Sequence, residues 1–166
     1  MVYFQKVRKT MLTILTPGAF DALANGVAPI GLRLVQDSSI ASQEVLRMLS
    51  DLNRGVDEEF SPSAWLIVED GEVVGLCSIT RPPENGDVHI GYGVAPSREG
   101  RGYTTAAISE LLRWARGDAR VRNISAETAG DNIGSHRVLE RNGFVQSGER
   151  VDPEDGPLIC WTIATT

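Results

Sequence analysis

The sequence predicts a single mixed α/β domain, and three observations carry that expectation. Apolar runs of strand length alternate with stretches of helical periodicity: a strand and two helices, an antiparallel meander, then strand–helix–strand–helix–strand–strand. Two turn dipeptides, Asp70-Gly71 and Asn85-Gly86, sit between apolar runs, where hairpins need them. Finally, Ile90–Ala107 passes from strand to glycine-rich turn to helix. At 166 residues and 42% hydrophobic composition the chain suffices for one core. No repeat, low-complexity tract or linker divides it. Met11 reads as an alternative start, making residues 1–10 an extension and 11–166 the domain.

Leu12–Leu15 reads as the first strand. Thr16 caps a helix with Pro17 at its first position, stopping at Asn25-Gly26. Gly26–Leu34 is ambiguous, broken by Pro29 and Gly31. Ser38 or Ser39 caps a second helix over Ile40–Asn53, where Val45, Leu46, Met48, Leu49 and Leu52 recur at helical spacing. Asp57-Glu58-Glu59 reads as an acidic loop. Trp65–Val68 and Val73–Ile79 form a hairpin, and Val88–Val94 is the next strand. The third helix spans Gly102–Arg116, with Ala107, Leu111, Leu112, Trp114 and Ala115 near one face. Strand Ile124–Glu127, helix Asn132–Arg141, strand Phe144–Gly148, a turn at Asp152–Pro157 and strand Leu158–Ile163 complete the order.

Net charge is -6, which argues against nucleic acid as a partner, since phosphate backbones need a basic surface. No apolar run approaches the roughly 20 residues of a membrane span, and the N-terminus lacks a signal-peptide stretch. Cys77 and Cys160 read as reduced, buried small hydrophobes, so a cytoplasmic protein is expected. His89 and His136 are the only histidines, and no spacing suggests a metal site.

The Ile90–Ala107 stretch carries the chemistry. A strand, a turn with Gly100 and Gly102, and a helix start aim backbone N–H groups at an anion. It is not a Walker loop, having no G-K-[ST], and G-x-G-x-x-G fails at Thr105. Ser97-Arg98-Glu99-Gly100-Arg101-Gly102 resembles the [QR]-x-x-G-x-[GA] acyl-CoA loop of the GCN5-related N-acetyltransferases, with Ser97 where Gln or Arg is usual. Asn132–Phe144 resembles that family's N-x-x-S-x-x-V-L-E-x-x-G-F signature, most like the branch containing the ribosomal-protein N-terminal acetyltransferases. The likeness extends from Trp65 to Phe144 and is weak over the first sixty residues.

The resemblance implies a central mixed, mostly antiparallel sheet, splayed between its fourth and fifth strands and flanked by about four helices. It implies an acyl-CoA N-acyltransferase, most simply acetyl, acting by direct attack of a primary amine, either a protein N-terminus or a small amine. The alternative is a non-catalytic CoA-binding module on the same fold. Monomer and homodimer both remain open.

By the same resemblance, the amides of Arg98, Glu99, Gly100, Arg101, Gly102 and Tyr103 hold the pyrophosphate. Arg98 and Arg101 either add charge there or are solvated loop charges, and Thr104 or Thr105 adds a hydroxyl. The Val94 main chain and Asn132 bind the pantetheine arm. His89 stands where relatives carry a Glu and is the candidate general base; an imidazole titrates near neutrality. Tyr92, assigned the same face, is a substrate contact or a packing residue. Glu127 is an alternative base, an amine-binding carboxylate, or a solvated strand end. Ser135 is the candidate proton donor to the leaving thiolate, because Leu139 occupies the place of a usual Tyr; helix capping is the other reading of Asn132 and Ser135. His136 reads as solvent-facing.

Overall fold

The computed structural model describes residues 10–166. Residues 1–9, nearly all of the expected extension, lie outside the described residues, while Thr10 opens the first strand. The elements run β1 (Thr10–Ile14), α1 (Pro17–Ala24), β2 (Arg33–Leu34), α2 (Gln43–Glu59), β3 (Ala64–Glu69), β4 (Glu72–Ile79), β5 (Asp87–Val94), a 3-10 turn at Pro96–Arg98, α3 (Tyr103–Gly117), β6 (Asn123–Ala129), α4 (Ile133–Arg141), β7 (Val145–Asp152) and β8 (Gly156–Ala164). They form one sheet in the order β1-β3-β4-β5-β6-β8-β7, with two-residue β2 beside β4.

Local chemistry explains the joints. Asp70 and Gly71 both have positive φ (48° and 77°), as a tight hairpin between β3 and β4 requires. Asn85 and Gly86 do the same before β5 (51° and 78°). Thr16 caps α1 through Ala19 N–H, with Pro17 in the first turn.

Most strand pairs are antiparallel, but short β2 runs parallel to β4, and β5 and β6 run parallel. Their pairing starts at Asp87↔Asn123 and ends at Ile90↔Ala126, although β5 continues to Val94 and β6 to Ala129. The strands therefore part midway, and this is the expected splay. Counting β2, which is too short to signal itself in the sequence, it separates the fifth and sixth strands.

The sheet is covered on both faces. On one, α1 and α2 bury Phe20, Leu23 and Leu46 against Leu66, Val68 and Leu76. On the other, α3 and α4 bury Ile108, Leu111 and Leu139 against Ile79, Val88, Ile90, Ile124 and Trp161. Leu12 N–H donates to Glu110 Oε2 (2.9 Å), tying α3 to β1. Trp114 lies 4.8 Å from Trp65, ring to ring.

The second helix corrects the sequence reading at both ends. Ser42, not Ser38 or Ser39, is its N-cap, accepting from Val45 N–H at 3.2 Å. Asp57-Glu58-Glu59 is its last turn rather than a loop. The physical reason is polar burial: the inward stripe is Leu46, Ser50, Asn53 and Val56, while Val45, Met48 and Leu52 are exposed. Ser50 donates to Asp21 (2.6 Å) and Asn53 Nδ2 to Ser63 Oγ (2.8 Å), which gives each a polar partner inside, while Asn53 Oδ1 has none among the described residues. An apolar pattern search stops at Leu52 and misses the two turns that Val56 and Phe60 anchor.

Candidate active site

The glycine turn meets the open end of the splay. Gly100 and Gly102 have φ of +71° and +80°, and a Cβ added to either would meet no atom within 4 Å. Both therefore have the angles that favour glycine and open space above the backbone. Side chains cap α1, α2 and α4, whereas Gly102 gives α3 no side-chain cap. The first N–H groups of α3 are left for an anion. Tyr103 buries its ring in the core beside Ile67, Val74 and Ala107, so it offers the groove its backbone.

A groove of about 300 Å³ follows the turn, lined by Val94, Arg98–Thr105 and one face of α4. It joins a cleft of about 580 Å³ in the splay, bordered by Tyr92, Gly93, Val94, Asn132 and Ser135. Val94, Glu99, Gly100, Thr104, Gly134 and Val138 belong to both, so the two spaces are continuous. From Gly91 to Val94, β5 pairs with β4 but not with β6, so its cleft-side edge keeps unpaired backbone groups.

Arg98 borders the groove, but its guanidinium is engaged elsewhere. It bonds Glu72 through Nε (2.7 Å) and pairs with Asp37 (3.2 Å); these partners raise its pKa. Ser97 Oγ lies 2.7 Å from Ser38 Oγ and 2.8 Å from Asp37 Oδ1. Through Ser97 and Arg98 this chain latches its turn to the segment before α2. Arg101 is exposed on the turn.

Two lining arginines, Arg137 and Arg141, escaped the sequence reading. With Gly134 and Val138 they occupy the 134, 137, 138, 141 stripe of α4, a helical periodicity that was there to be read. Asn142 holds α4 against α3 by donating to Thr105 O (3.2 Å).

His89 and Tyr92 lie three residues apart, so the pleat puts them on opposite faces, which corrects the shared face assigned to them. Tyr92 packs on the α3–α4 side and its hydroxyl makes a long bond to Ser135 O (3.4 Å). Burial pushes its pKa up, so it stays protonated. His89 shares the other face with Ser125, one residue before β5 and β6 part. It is 8% exposed. Burial, then the Arg81 charge, holds its pKa below the ordinary imidazole value.

Glu127 continues along the His89 face to the parted strand end. Arg150 holds both its oxygens, at 2.6 and 2.7 Å. That pairing lowers its pKa, leaving an ionised carboxylate of weakened basicity. Cys77 is buried, and burial pushes its thiol up to about 12. Cys160, expected to be buried, is only partly so, with Sγ 3.9 Å from Glu127 Oε1.

At α4, Asn132 is the cap: its Oδ1 accepts from Ser135 N–H at 3.1 Å. Ser135 contributes its backbone to the cap and lines the cleft. Leu139 is fully buried. His136 is not solvent-facing: its Nε2 lies 3.0 Å from Ala129 O and its ring 5.5 Å from that of Trp161. Among the described residues, no cluster of His, Cys, Asp or Glu could hold a metal ion.

Residues 35–145 match the acetyltransferase (GNAT) domain. The chain is 35% identical over 85 residues to N-acetyltransferase YjdG of Bacillus subtilis (strain 168), covering 49% of this chain and 51% of that protein. It is 26% identical over 110 residues to the ribosomal-protein-serine acetyltransferase of Escherichia coli (strain K12), covering 66% and 62%. Each match spans less than two thirds of the relative's length. Among solved structures, the ribosomal L7/L12 alpha-N-protein acetyltransferase RimL in complex with coenzyme A superimposes with a TM-score of 0.67 at 21% identity, over 92% of each chain. Aminoglycoside acetyltransferase AAC(6')-Ib with ribostamycin and coenzyme A gives 0.67 at 17%, over 94% and 93%. With the domain match spanning most of the chain and the splayed sheet meeting an uncapped helix at a glycine turn, the chain belongs to the acetyltransferase (GNAT) domain family.

Proposed function

We propose that this chain is an acyl-CoA-dependent N-acyltransferase, most simply moving acetyl from acetyl-CoA to a primary amine by direct attack. The observation that carries the reading is the continuity of the groove at the uncapped start of α3 with the cleft where β5 and β6 part. A phosphate-bearing carrier fits the first and an extended thioester arm fits the second.

Acetyl-CoA, when bound, supplies a thioester carbonyl for the amine to attack. The amides of Arg98–Tyr103 bind the pyrophosphate, with Arg101, Arg137 and Arg141 as a cationic rim. The unpaired edge of β5 from Gly91 to Val94 holds the arm and offers N–H groups to the developing oxyanion. His89 removes the proton of the arriving ammonium. Its lowered pKa keeps the ring neutral, and therefore able to accept, at neutral pH. Ser135 lines the cleft and serves as proton donor to the thiolate; Leu139, locked in the core, has no group to do so.

The acceptor is a protein N-terminus or a small amine. The relatives' names span ribosomal protein and aminoglycoside. The test is release of CoA thiol from acetyl-CoA against N-terminal peptides, spermidine and ribostamycin. Turnover with one class identifies the acceptor; acetyl-CoA binding with no turnover on any of them favours the non-catalytic reading.

A further inference from the structure

A line of hydrogen bonds connects the closed end of the splay to His89. Asp87 opens β5, and Ser125 on β6 is the register partner of His89. Ser125 Oγ donates to Asp87 Oδ2 at 2.7 Å. His89 Nδ1 lies 2.9 Å from the same Oγ. Asp87 is itself fixed: Asn123 Nδ2 donates to Oδ1, and Asp87 N–H donates to Glu84 O at 2.8 Å.

Counting hydrogens decides the direction of the chain. Both oxygens of Asp87 accept, as a carboxylate's do, and a serine hydroxyl has one hydrogen to give. That hydrogen is committed to Asp87. Ser125 Oγ must then accept from His89, so Nδ1 carries the ring hydrogen. In a neutral imidazole the lone pair is left at Nε2. Nε2 has no hydrogen-bond partner among the described residues.

We infer that Asp87 and Ser125 are positioning residues for acyl transfer: the chain Asp87–Ser125–His89 holds the imidazole in its Nδ1–H form and presents Nε2 as the base. The inference rests on His89 being the base of the proposed reaction. The step balances. The substrate ammonium gives one proton to Nε2 and becomes a neutral amine. Its lone pair forms the N–C bond at the thioester carbonyl while the C–S bond breaks, and the second proton shed by the new amide nitrogen passes through the Ser135 hydroxyl to the leaving thiolate. The imidazolium then carries hydrogen on both nitrogens, with Nδ1–H still directed through Ser125 to the Asp87 charge, and returns its extra proton to solvent.

The charged groups around the ring come from several elements. Arg81, just beyond β4, and Arg150 on β7 oppose its protonation, while Asp87 on β5 and Glu127 on β6 favour it. Arg150 offsets Glu127 by direct pairing, and Cys160 of β8 touches Glu127. Asp87 is the acidic group hydrogen-bonded to the ring through a hydroxyl.

Two readouts test the chain. Long-range proton–nitrogen correlation NMR on the ligand-free protein reads the His89 tautomer without any turnover. The expected result is Nδ1–H in the wild type and a mixture in Ser125→Ala. A wild-type Nε2–H tautomer overturns the inference, whatever His89 does in catalysis. The second readout is kcat with acetyl-CoA and the most reactive amine of the panel. Ser125→Ala should lower it on the order of tenfold, the scale on which an outer partner that orients a histidine acts. The KM for acetyl-CoA should hold, and Ser125→Thr, which keeps the hydroxyl, should restore kcat. His89→Ala separates the two layers of the argument. Wild-type kcat in His89→Ala removes the base, and the chain falls with it. A defective His89→Ala beside a fully active Ser125→Ala keeps the base and overturns the chain. If Ser125→Ala fails to fold, the wild-type tautomer decides.

Discussion

Glu127 and Arg150 are joined by two parallel hydrogen bonds, Nε to Oε1 at 2.6 Å and Nη2 to Oε2 at 2.7 Å. A carboxylate clamped in this way is held ionised and is a poor proton acceptor near neutrality. Glu127→Gln should therefore keep most of kcat and leave the acid limb of the pH–rate profile in place. Loss of that limb in Glu127→Gln would move the base from β5 to β6.

The turn prediction uses two glycines of matched geometry. Gly102 and Gly26 have φ of +80° and +79°, each with open space where a Cβ would sit. A branched side chain at either should cost about 1–2 kcal/mol of stability through backbone strain. Gly102→Val should also lose the thermal shift that acetyl-CoA produces by binding the native state, while Gly26→Val keeps it. A normal shift in Gly102→Val would remove the turn from the cofactor site.

Arg137 and Arg141 are expected to act on binding alone. Replacing both with Ala should raise the KM for acetyl-CoA about tenfold, in keeping with lost hydrogen bonds to a charged group, with kcat unchanged. Higher salt should narrow the gap between variant and wild type. An equal fall in kcat would place these side chains in the reaction itself.

Much of this site was legible because glycine turns and the N-x-x-S signature are local. Gly100, Gly102 and Asn132 sit where the motif put them. Three things were not local. The inward stripe of α2 contains Ser50 and Asn53, whose partners are Asp21 on α1 and Ser63 in the connection before β3. Arg98 looked available because Glu72 and Asp37 are distant in sequence. The Asp87–Ser125–His89 line needs the parallel register of β5 and β6, which no pattern in either strand states. Tyr92 is different: the period of two was in the sequence, and the face assigned to it ignored that period.

At α4 the cap and the proposed donor are separate residues, so they can be tested apart. Asn132→Ala should cost about 1 kcal/mol of stability, the worth of an N-cap, because its oxygen holds Ser135 N–H. Ser135→Ala leaves that cap intact and should instead lower kcat with little change in melting temperature. Unchanged kcat in folded Ser135→Ala would show that water supplies the proton to the thiolate.

The pKa of His89 also couples to folding. Its folded value lies below the ordinary 6.5 because the ring is buried. As pH falls through 6.5 the unfolded chain takes up a proton that the native chain refuses, so acid favours unfolding. His89→Gln should flatten this part of the stability–pH curve, measured by denaturant melts across the window just below 6.5. An identical curve in the variant would mean that the ring titrates alike in both states.

The most direct measurement is kcat against pH for the wild type and His89→Ala, with acetyl-CoA and the amine that turns over fastest. The wild type should be level above the ordinary imidazole value of 6.5 and fall on its acid side, because the buried ring protonates late. His89→Ala should lose about a hundredfold in kcat, the usual worth of a general base, lose the acid limb, and keep the KM for acetyl-CoA. Wild-type kcat and an unaltered limb in His89→Ala would contradict the account.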